Sequence, residues 1–323
     1  MGGEDTGVLM NTAKTIVILG GGVGGLVAAR ELRKRLPRPH RVVLVDRERE
    51  HLFAPSLLWL MVGWREAESI RRPLKRLERK GIEVRLGEVE KIDPVTRRVT
   101  VGGQTLDADY LVVTLGAELA PETVPGLQGA GHNFYTLAGA ESFHAALDSM
   151  ERGRVVVLTA APAYKCPAAP YEAALLIDGY LRRRGRRDAV TIDLYAAEPG
   201  PMGVAGPEVS GAVKQLLQAK GISYHPEHQV KSVDAAARRL EFSTGAHADF
   251  DLLAYVPPHR APRVVRECSL AGETGWISAD RHTLETRFPG VYAIGDVVSI
   301  PHKLGKPLPK AGVFAHAQAE VVA

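Results

Sequence analysis

Apolar residues occur along this chain in short runs that alternate with helical patterns. The first run, residues 16–19, leads into the glycine-rich stretch 20–25, and apolar positions with helical spacing follow over residues 26–32. The next run, residues 41–45, ends at Asp46. A strand, a helix and a second strand in this order are typical of a parallel βαβ unit.

The alternation is repeated further along the chain. Strand patterns cover residues 110–115, 154–158, 190–195, 222–224, 230–233, 240–242, 250–255 and 291–294, and helical patterns cover residues 73–80, 168–183, 207–220 and 311 onward. Short alternating runs at 82–86, 88–92 and 98–101 predict a small antiparallel insertion. Two βαβ patterns on either side of the proline-rich stretch 121–125 predict an α/β protein with two Rossmann-like, three-layer domains.

Composition fits a soluble globular protein. Of the 323 residues, 45% are hydrophobic and 24% are charged, and the chain has neither an apolar run of membrane-spanning length nor a signal-peptide pattern. We therefore predict a cytoplasmic location, either in solution or at the cytoplasmic face of the membrane. The net charge of +4 is concentrated at residues 30–41, 71–80 and 182–187. These clusters are either solvated helical faces or surfaces that approach anionic lipid or an acidic partner. Aromatic residues make up 6% and are not interleaved with the basic runs, which argues against nucleic acid.

The chain has two cysteines, Cys166 and Cys268, and neither lies in a CxxC pair. This count excludes a disulfide framework, a four-cysteine metal site and thioredoxin-type redox chemistry. The histidines show no metal-ligand spacing beyond the pair His225 and His228, to which we assign no metal.

The first glycine-rich stretch carries the spacing of a dinucleotide-binding turn. Gly20, Gly22 and Gly25 follow a strand and open a helix, where glycines permit a tight turn and let the backbone approach a pyrophosphate at the helix N-terminus. Asp46 ends the next strand about twenty residues later, where a carboxylate suits the hydroxyl pair of a ribose.

Two later segments extend this pattern into a family resemblance. The strand that ends in Leu-Gly-Ala at 115–117, and Phe-Pro-Gly-Val-Tyr-Ala-Ile-Gly-Asp at 288–296, resemble the flavoproteins with two dinucleotide-binding domains. The resemblance implies FAD, an aspartate (Asp296) that binds its ribityl chain, and an FAD domain split by a second Rossmann-like domain. We place the FAD domain at residues 12–120 and 275–323 and the second domain at 121–274. The FAD-binding residues that we assign are Gly20, Gly22, Gly25, Asp46, Arg47, Val89, Gly116, Gly295, Asp296 and Lys310.

The turn of the second βαβ unit lacks the glycines that an NAD site requires. Residues 159–170 contain three prolines and a tyrosine and no glycine, which obstructs close approach of a pyrophosphate. Residues 165–172, Lys-Cys-Pro-Ala-Ala-Pro-Tyr-Glu, resemble the KCPGAPYE region of sulfide:quinone oxidoreductases and of the flavoprotein subunit of flavocytochrome c sulfide dehydrogenase. Residues 51–55 and 308–312 also resemble that family. The resemblance implies that Cys166 carries sulfur beside the flavin, and that electrons pass from sulfide to a quinone or a cytochrome.

The residues around Cys166 give this hypothesis a chemical basis. Lys165 supplies an adjacent positive charge and the prolines suit the first turn of a helix, so we expect a lowered thiol pKa; the alternative is an inert, buried cysteine. We assign Glu172 a proton-transfer role, or else a helix-dipole role. Lys310 either neutralises reduced flavin or is a solvated loop lysine.

Some features depart from the family pattern. No cysteine follows Asp296 to pair with Cys166, and no histidine follows Glu198 and Pro199 closely. The final helical pattern ends without a cap, so we expect a truncated C-terminus that lacks membrane-associating amphipathic helices. An NAD(P)H-dependent reductase, such as a type II NADH:quinone dehydrogenase, and a non-catalytic FAD-binding protein remain alternatives. The sequence leaves the oligomeric state open.

Overall fold

A computed structural model of the chain describes residues 13–301, 305 and 307–323. Residue 12, the predicted start of the first domain, lies outside the described residues. Two five-stranded parallel sheets organise the described part of the chain, which confirms the α/β fold class.

The first sheet is built from both ends of the chain. Its strands lie in the spatial order Val291–Ala293, Tyr110–Val113, Thr15–Leu19, Arg41–Asp46 and Glu83–Leu86. The inner strands are almost entirely apolar because both faces of a parallel sheet are covered. Strands from the start of the chain and from near its end therefore share one sheet, as expected for an FAD domain that is split by the middle of the chain. The exact domain boundaries stay predictions.

One strand of this sheet corrects the sequence analysis. We predicted that residues 82–86 belong to an antiparallel insertion, but Glu83–Leu86 pairs in parallel with Arg41–Asp46 at the sheet edge. Its alternating pattern reflects this edge position, because an edge strand is only half covered. The polar residue Glu83 accepts hydrogen bonds from Arg41 and Arg85 there.

The second sheet comes wholly from the middle of the chain. Its strands lie in the order His132–Asn133, Leu252–Val256, Gly153–Thr159, Val190–Ala196 and Ile222–His225, and all neighbours are parallel.

Antiparallel elements complete the two halves. One three-stranded antiparallel sheet comprises Val89–Asp93, Arg98–Val101 and Gln104–Asp107. A second comprises Val230–Asp234, Arg239–Phe242 and His247–Asp249. Two-stranded ribbons pair Glu50–Leu52 with Arg71–Pro73, and Glu118–Leu119 with His259–Arg260. The second ribbon pairs the segment just before the residues of the second sheet with the segment just after them.

Eight α-helices are present in the described residues. They are α1 (Val23–Arg35), α2 (Leu57–Leu60), α3 (Leu127–Ala130), α4 (Leu137–Ser149), α5 (Ala169–Arg183), α6 (Pro207–Ala219), α7 (Arg263–Arg266) and α8 (Gly312–Val322). The predicted helix at 73–80 is a 3-10 helix, Leu74–Lys80, which ends at the left-handed Gly81. Among the helices described, none has both the length and the apolarity needed to cross a bilayer.

Candidate functional site

The turn between the first strand and α1 has no room for side chains at two of its glycines. A Cβ atom at Gly25 would lie 1.8 Å from the carbonyl oxygen of Gly20, and Gly20 itself has a φ of +106°. By contrast, a Cβ at Gly22 would meet no atom within 4 Å. The turn is therefore closed on the protein side and open on the other, at a helix N-terminus without a side-chain cap. This shape fits a pyrophosphate group.

Asp46 lies directly beside this turn. Its Oδ2 atom accepts a hydrogen bond of 2.5 Å from the Gly21 amide, and its Oδ1 atom accepts one of 2.7 Å from the Glu48 amide. The carboxylate is thus held at the rim of the open side, where a ribose next to a pyrophosphate would lie.

Two other predicted FAD-binding residues are placed differently. The Arg47 side chain is 66% exposed and its Nε atom lies 3.5 Å from the Glu48 carboxylate. The Val89 side chain is buried in the core of the first sheet, so any contact of Val89 with a cofactor falls to its main chain. Both assignments stay predictions.

The second group of predicted FAD-binding residues surrounds the end of strand Val291–Ala293. Gly116 and Gly295 both have positive φ, at +69° and +75°. The Gly295 amide donates a hydrogen bond of 2.7 Å to Oε1 of Gln318 on α8. Burial raises the pKa of the neighbouring Asp296 carboxyl, and the charges of Lys165 and Lys310 oppose that rise.

Lys310 is anchored immediately before α8. Its Nζ atom donates hydrogen bonds of 2.6 and 3.0 Å to the carbonyl oxygens of Asp296 and Val298, and lies 3.6 Å from the ring centroid of Trp276. Burial lowers the pKa of Lys310 to about 8, against the opposing charge of Asp296. A cation in this position is a fixed charge and not a mobile surface group.

Cys166 is joined to the same cluster through the backbone. Its amide donates a hydrogen bond of 2.6 Å to the carbonyl oxygen of Lys310, and its own φ is +54°. The pKa of the adjacent Lys165 is lowered, because burial outweighs the opposing negative charges of Asp296 and of the Cys166 thiolate. The structure therefore brings the adjacent pair Lys165 and Cys166 together with Asp296 and Lys310, which lie in the last part of the sequence.

The expected lowering of the thiol pKa is wrong. Burial raises the pKa of Cys166, and the carboxylates of Glu172 and Asp296 raise it further. Hydrogen bonds from the amides of Ala169 and Ala168, at the start of α5, lower it but do not outweigh these effects. Sequence neighbours reveal nearby charges, but burial depends on the rest of the fold.

Glu172 lies in the first turn of α5, as predicted, and is half-buried. Its charge acts on the Cys166 thiol, which makes it a candidate proton acceptor near that sulfur. This role stays a prediction.

Sequence reasoning missed two aromatic neighbours of the cysteine. The Tyr135 hydroxyl donates a hydrogen bond of 2.8 Å to the carbonyl oxygen of Lys165, and the His259 ring lies edge-on at 5.6 Å from the Tyr135 ring. Burial and the charges of Lys165 and Lys310 lower the pKa of His259 to about 4. Trp276 and Gln318 were missed as well. None of these residues lies in a motif, so the sequence carried no signal for them.

Cys268 is separate from this cluster. Its Sγ atom donates to the carbonyl oxygen of Val265 at 3.3 Å, and the residue packs against the core of the first sheet. Both cysteines are free thiols.

At the end of a strand of the second sheet, the Glu198 carboxylate accepts three hydrogen bonds from protein hydroxyl groups. Glu198 follows strand Val190–Ala196 and accepts hydrogen bonds from the hydroxyls of Thr159, Tyr164 and Tyr171. The two tyrosines belong to the glycine-free segment that contains Cys166 and to α5. Tyr164 therefore lies in the turn where an NAD-binding site would have glycines, and Tyr171 lies in the helix that follows this turn.

Comparison with known proteins agrees with this architecture. A family model described as "Pyridine nucleotide-disulphide oxidoreductase" matches residues 14–319. The mitochondrial sulfide:quinone oxidoreductase of Dictyostelium discoideum is 28% identical over 307 residues, which cover 91% of this chain and 67% of that protein. The sulfide-quinone reductase of Aquifex aeolicus is 29% identical and covers 96% of this chain and 75% of its own length.

A solved structure gives the same result. The sulfide:quinone oxidoreductase of Aquifex aeolicus superposes with a TM-score of 0.85 at 26% identity, over 95% of this chain and 75% of that one. This chain spans about two thirds of the length of the mitochondrial relatives that it matches.

Proposed function

The chain belongs to the pyridine nucleotide-disulphide oxidoreductase family and is an FAD-dependent oxidoreductase, and we propose that it oxidises hydrosulfide and passes the electrons to a quinone. The similarity to sulfide:quinone oxidoreductases supports this choice of substrates. The observation that carries it is the hydrogen bond from the Cys166 amide to the Lys310 carbonyl, which holds the cysteine beside Lys310 and Asp296. The predicted FAD contacts Gly295, Asp296 and Lys310 are thereby adjacent to a free thiol.

The residues present fit FAD. The open side of Gly22 and the N-terminus of α1 suit the pyrophosphate, Asp46 suits a ribose, and Asp296 suits the ribityl chain. Bound FAD supplies a two-electron acceptor for the oxidation. Lys310 contributes a fixed positive charge beside Asp296, which stabilises negative charge that develops nearby.

Cys166 holds the sulfur during the reaction. One hydrosulfide ion and the Cys166 thiol form one S–S bond, giving a protonated persulfide and releasing one proton and the two electrons that bound FAD would accept. Glu172 accepts the proton, since its carboxylate acts on the same sulfur. Each further hydrosulfide ion lengthens the chain by one sulfur and again releases one proton and two electrons, which the same acceptors take up. The quinone takes up two electrons and two protons.

The middle of the chain supports sulfide over nicotinamide as the electron donor. Tyr164 lies in the turn where an NAD-binding site would have glycines, Tyr171 lies in the helix that follows, and both donate hydrogen bonds to Glu198. A pyrophosphate requires close backbone approach, which bulky side chains prevent.

Anaerobic reduction of the FAD-loaded protein tests the proposal. We expect sulfide to bleach the flavin absorbance, NADH to leave it unchanged, and a short-chain ubiquinone to restore it after sulfide. Cys166→Ser abolishes the bleaching, whereas Cys268→Ser, the matched control, retains it. Bleaching by NADH but not by sulfide contradicts the proposal, and so does a protein that responds to neither.

A further inference from the structure

Glu198 is a hydrogen-bond hub at the end of strand Val190–Ala196. Its Oε1 atom accepts from the Tyr164 hydroxyl at 2.5 Å and from the Tyr171 hydroxyl at 2.6 Å. Its Oε2 atom accepts from the Thr159 hydroxyl at 2.8 Å. All three donors are neutral hydroxyl groups, and together they occupy both oxygens of the Glu198 carboxylate.

These donors bracket Cys166 in the sequence. Thr159 ends strand Gly153–Thr159, Tyr164 lies two residues before Cys166, and Tyr171 lies in the first turn of α5. All three donors are buried. One carboxylate thus connects the strand end, the loop and the helix between which the cysteine is held.

The loop needs such support because its backbone is strained. Ala163 has a φ of +65° and Cys166 a φ of +54°, a left-handed conformation that residues with a Cβ rarely adopt. Each such residue costs about 1 kcal/mol or more and persists only when surrounding contacts enforce it. Other contacts act after Tyr164. The Tyr135 hydroxyl donates to the carbonyl oxygens of Lys165 and Cys166, and the Cys166 amide donates to the carbonyl oxygen of Lys310. Among the described residues, Glu198 is the one side chain that accepts hydrogen bonds from residues on both sides of the cysteine.

The position of Glu198 in the fold explains why a carboxylate is available there. An acidic residue after the second strand of a βαβ unit is the group that binds a ribose in dinucleotide sites. Here both of its oxygens already accept protein hydroxyls. Burial, with the nearby Glu198 charge, raises the pKa values of Tyr164 and Tyr171, so both hydroxyls keep their protons and remain donors.

We propose that Glu198 is a positioning residue that holds Cys166 in its strained, partly buried conformation through Tyr164 and Tyr171. An effect of Glu198 on turnover rests on the proposed role of Cys166 as the sulfur carrier. The effect of Glu198 on the conformation of Cys166 does not depend on that role, because it is measured through the accessibility and titration of the Cys166 thiol.

Alkylation of Cys166 by iodoacetamide tests the inference on the FAD-loaded protein. The background is Cys268→Ser, so that all reaction reports on Cys166. Glu198→Leu removes all three acceptor interactions, and the double variant Tyr164→Phe/Tyr171→Phe removes the two donors that bracket the cysteine. Glu198→Gln keeps an acceptor oxygen for both tyrosines and is the conservative variant. Tyr180→Phe is the matched control, since Tyr180 also lies in α5 and donates to a carboxylate, Asp148, outside the cysteine loop.

We expect Glu198→Leu and the double variant to alkylate about tenfold faster at neutral pH, with the midpoint of the pH profile displaced about one unit lower. The reason is that release of the loop returns the thiol toward water and toward its ordinary pKa. Glu198→Gln stays within about threefold of the background protein, and Tyr180→Phe does not change the profile.

An unchanged rate and midpoint in folded Glu198→Leu overturns the inference. If that variant does not fold, the double variant decides by the same criterion. Unfolding of both, with Tyr180→Phe folded, also overturns it, because the network then holds the whole sheet and not the loop. Failure of sulfide to bleach the flavin in the background protein contradicts the proposed function alone, since alkylation is measured without sulfide.

Discussion

The amide of Cys166 donates a hydrogen bond of 2.6 Å to the carbonyl oxygen of Lys310. This bond joins the loop after the first strand of the second βαβ unit to the segment before α8, and so connects the middle of the chain to its end. Neither residue has the environment that its sequence neighbours suggest. Burial and nearby carboxylates raise the pKa of the Cys166 thiol, and burial lowers the pKa of the Lys310 ammonium.

The Glu172 carboxylate is expected to lower the reactivity of the Cys166 thiol at neutral pH. Because its carboxylate raises the pKa of the thiol, Glu172→Gln lowers that pKa and increases the thiolate fraction at neutral pH. In a Cys268→Ser background, we expect iodoacetamide to react about three to ten times faster at pH 7.5, converging with the parent at high pH. Glu208→Gln is the control, since Glu208 is the first-turn acid of α6. Equal rates for all three proteins contradict the prediction.

Two glycines of the first turn separate folding from cofactor binding. Gly25→Ala places a methyl group 1.8 Å from the Gly20 carbonyl oxygen, so we expect a loss of about 3 kcal/mol or more in the free energy of unfolding. Gly22→Ala meets no protein atom and costs about 1 kcal/mol or less, but its methyl group enters the space assigned to the pyrophosphate. Thermal unfolding and the ratio of flavin to protein absorbance measure the two effects. Full FAD content in Gly22→Ala contradicts the assignment.

Strong local periodicity made much of the fold predictable. The helix predicted at 168–183 is Ala169–Arg183, and the one predicted at 207–220 is Pro207–Ala219. By contrast, α4 was missed, because its buried face has only Ala140, Phe143 and Leu147 among small and polar residues. The edge strand Glu83–Leu86 was assigned to the wrong sheet, since an alternating pattern does not reveal the partner strand.

The site was predictable where a motif marks it and unpredictable elsewhere. The glycines of the first turn and the pair Gly295 and Asp296 have fixed spacings with a physical cause. Tyr135 and Trp276 reach the cluster through contacts that no local pattern records. The direction of the Cys166 pKa shift was wrong for the same reason, because desolvation arises from residues remote in sequence.

Asp178 gives a prediction for stability. It is 2% exposed on α5 and accepts hydrogen bonds from Nε of Arg182, at 2.9 Å, and Nε of Arg187, at 2.6 Å. Burial raises its pKa, but the two guanidinium groups outweigh burial and the net pKa is lowered. Asp178→Asn is therefore expected to cost about 2 kcal/mol at pH 7, an amount reduced from that of a fully buried pair because Arg182 is half exposed.

The pH dependence of this cost has a definite sign. A carboxyl with a lowered pKa in the folded state stabilises the protein above its unfolded pKa of about 3.9, and the contribution is lost as the pH falls through the folded pKa. The difference between parent and Asp178→Asn in urea denaturation therefore shrinks below about pH 4. Asp249→Asn, at the exposed pair with Arg239, is the control and shows no resolvable change at pH 7. A difference that persists undiminished at low pH contradicts this account.

Lys310 gives the prediction that separates a fixed charge from a simple structural lysine. With a pKa lowered to about 8, its ammonium is present below that pH and lost above it. Lys310→Arg keeps a positive charge at every pH of the experiment, because a guanidinium does not lose its proton. Lys310→Met removes the charge throughout, and its rate of flavin bleaching by sulfide is expected to be about a hundredfold lower than that of the parent at pH 7.

The ratio of parent to Lys310→Arg rates isolates this titration, because sulfide and Cys166 titrate in both proteins. We expect the ratio to be constant below about pH 7 and to fall as the pH rises through 8. Its lower limit is the rate of Lys310→Met divided by the rate of Lys310→Arg. Stopped-flow absorbance under anaerobic conditions measures all three proteins. A ratio that stays flat from pH 6.5 to about 9.5 means that the ammonium contributes only its hydrogen bonds to Asp296 and Val298, since the arginine can replace those without a change in charge.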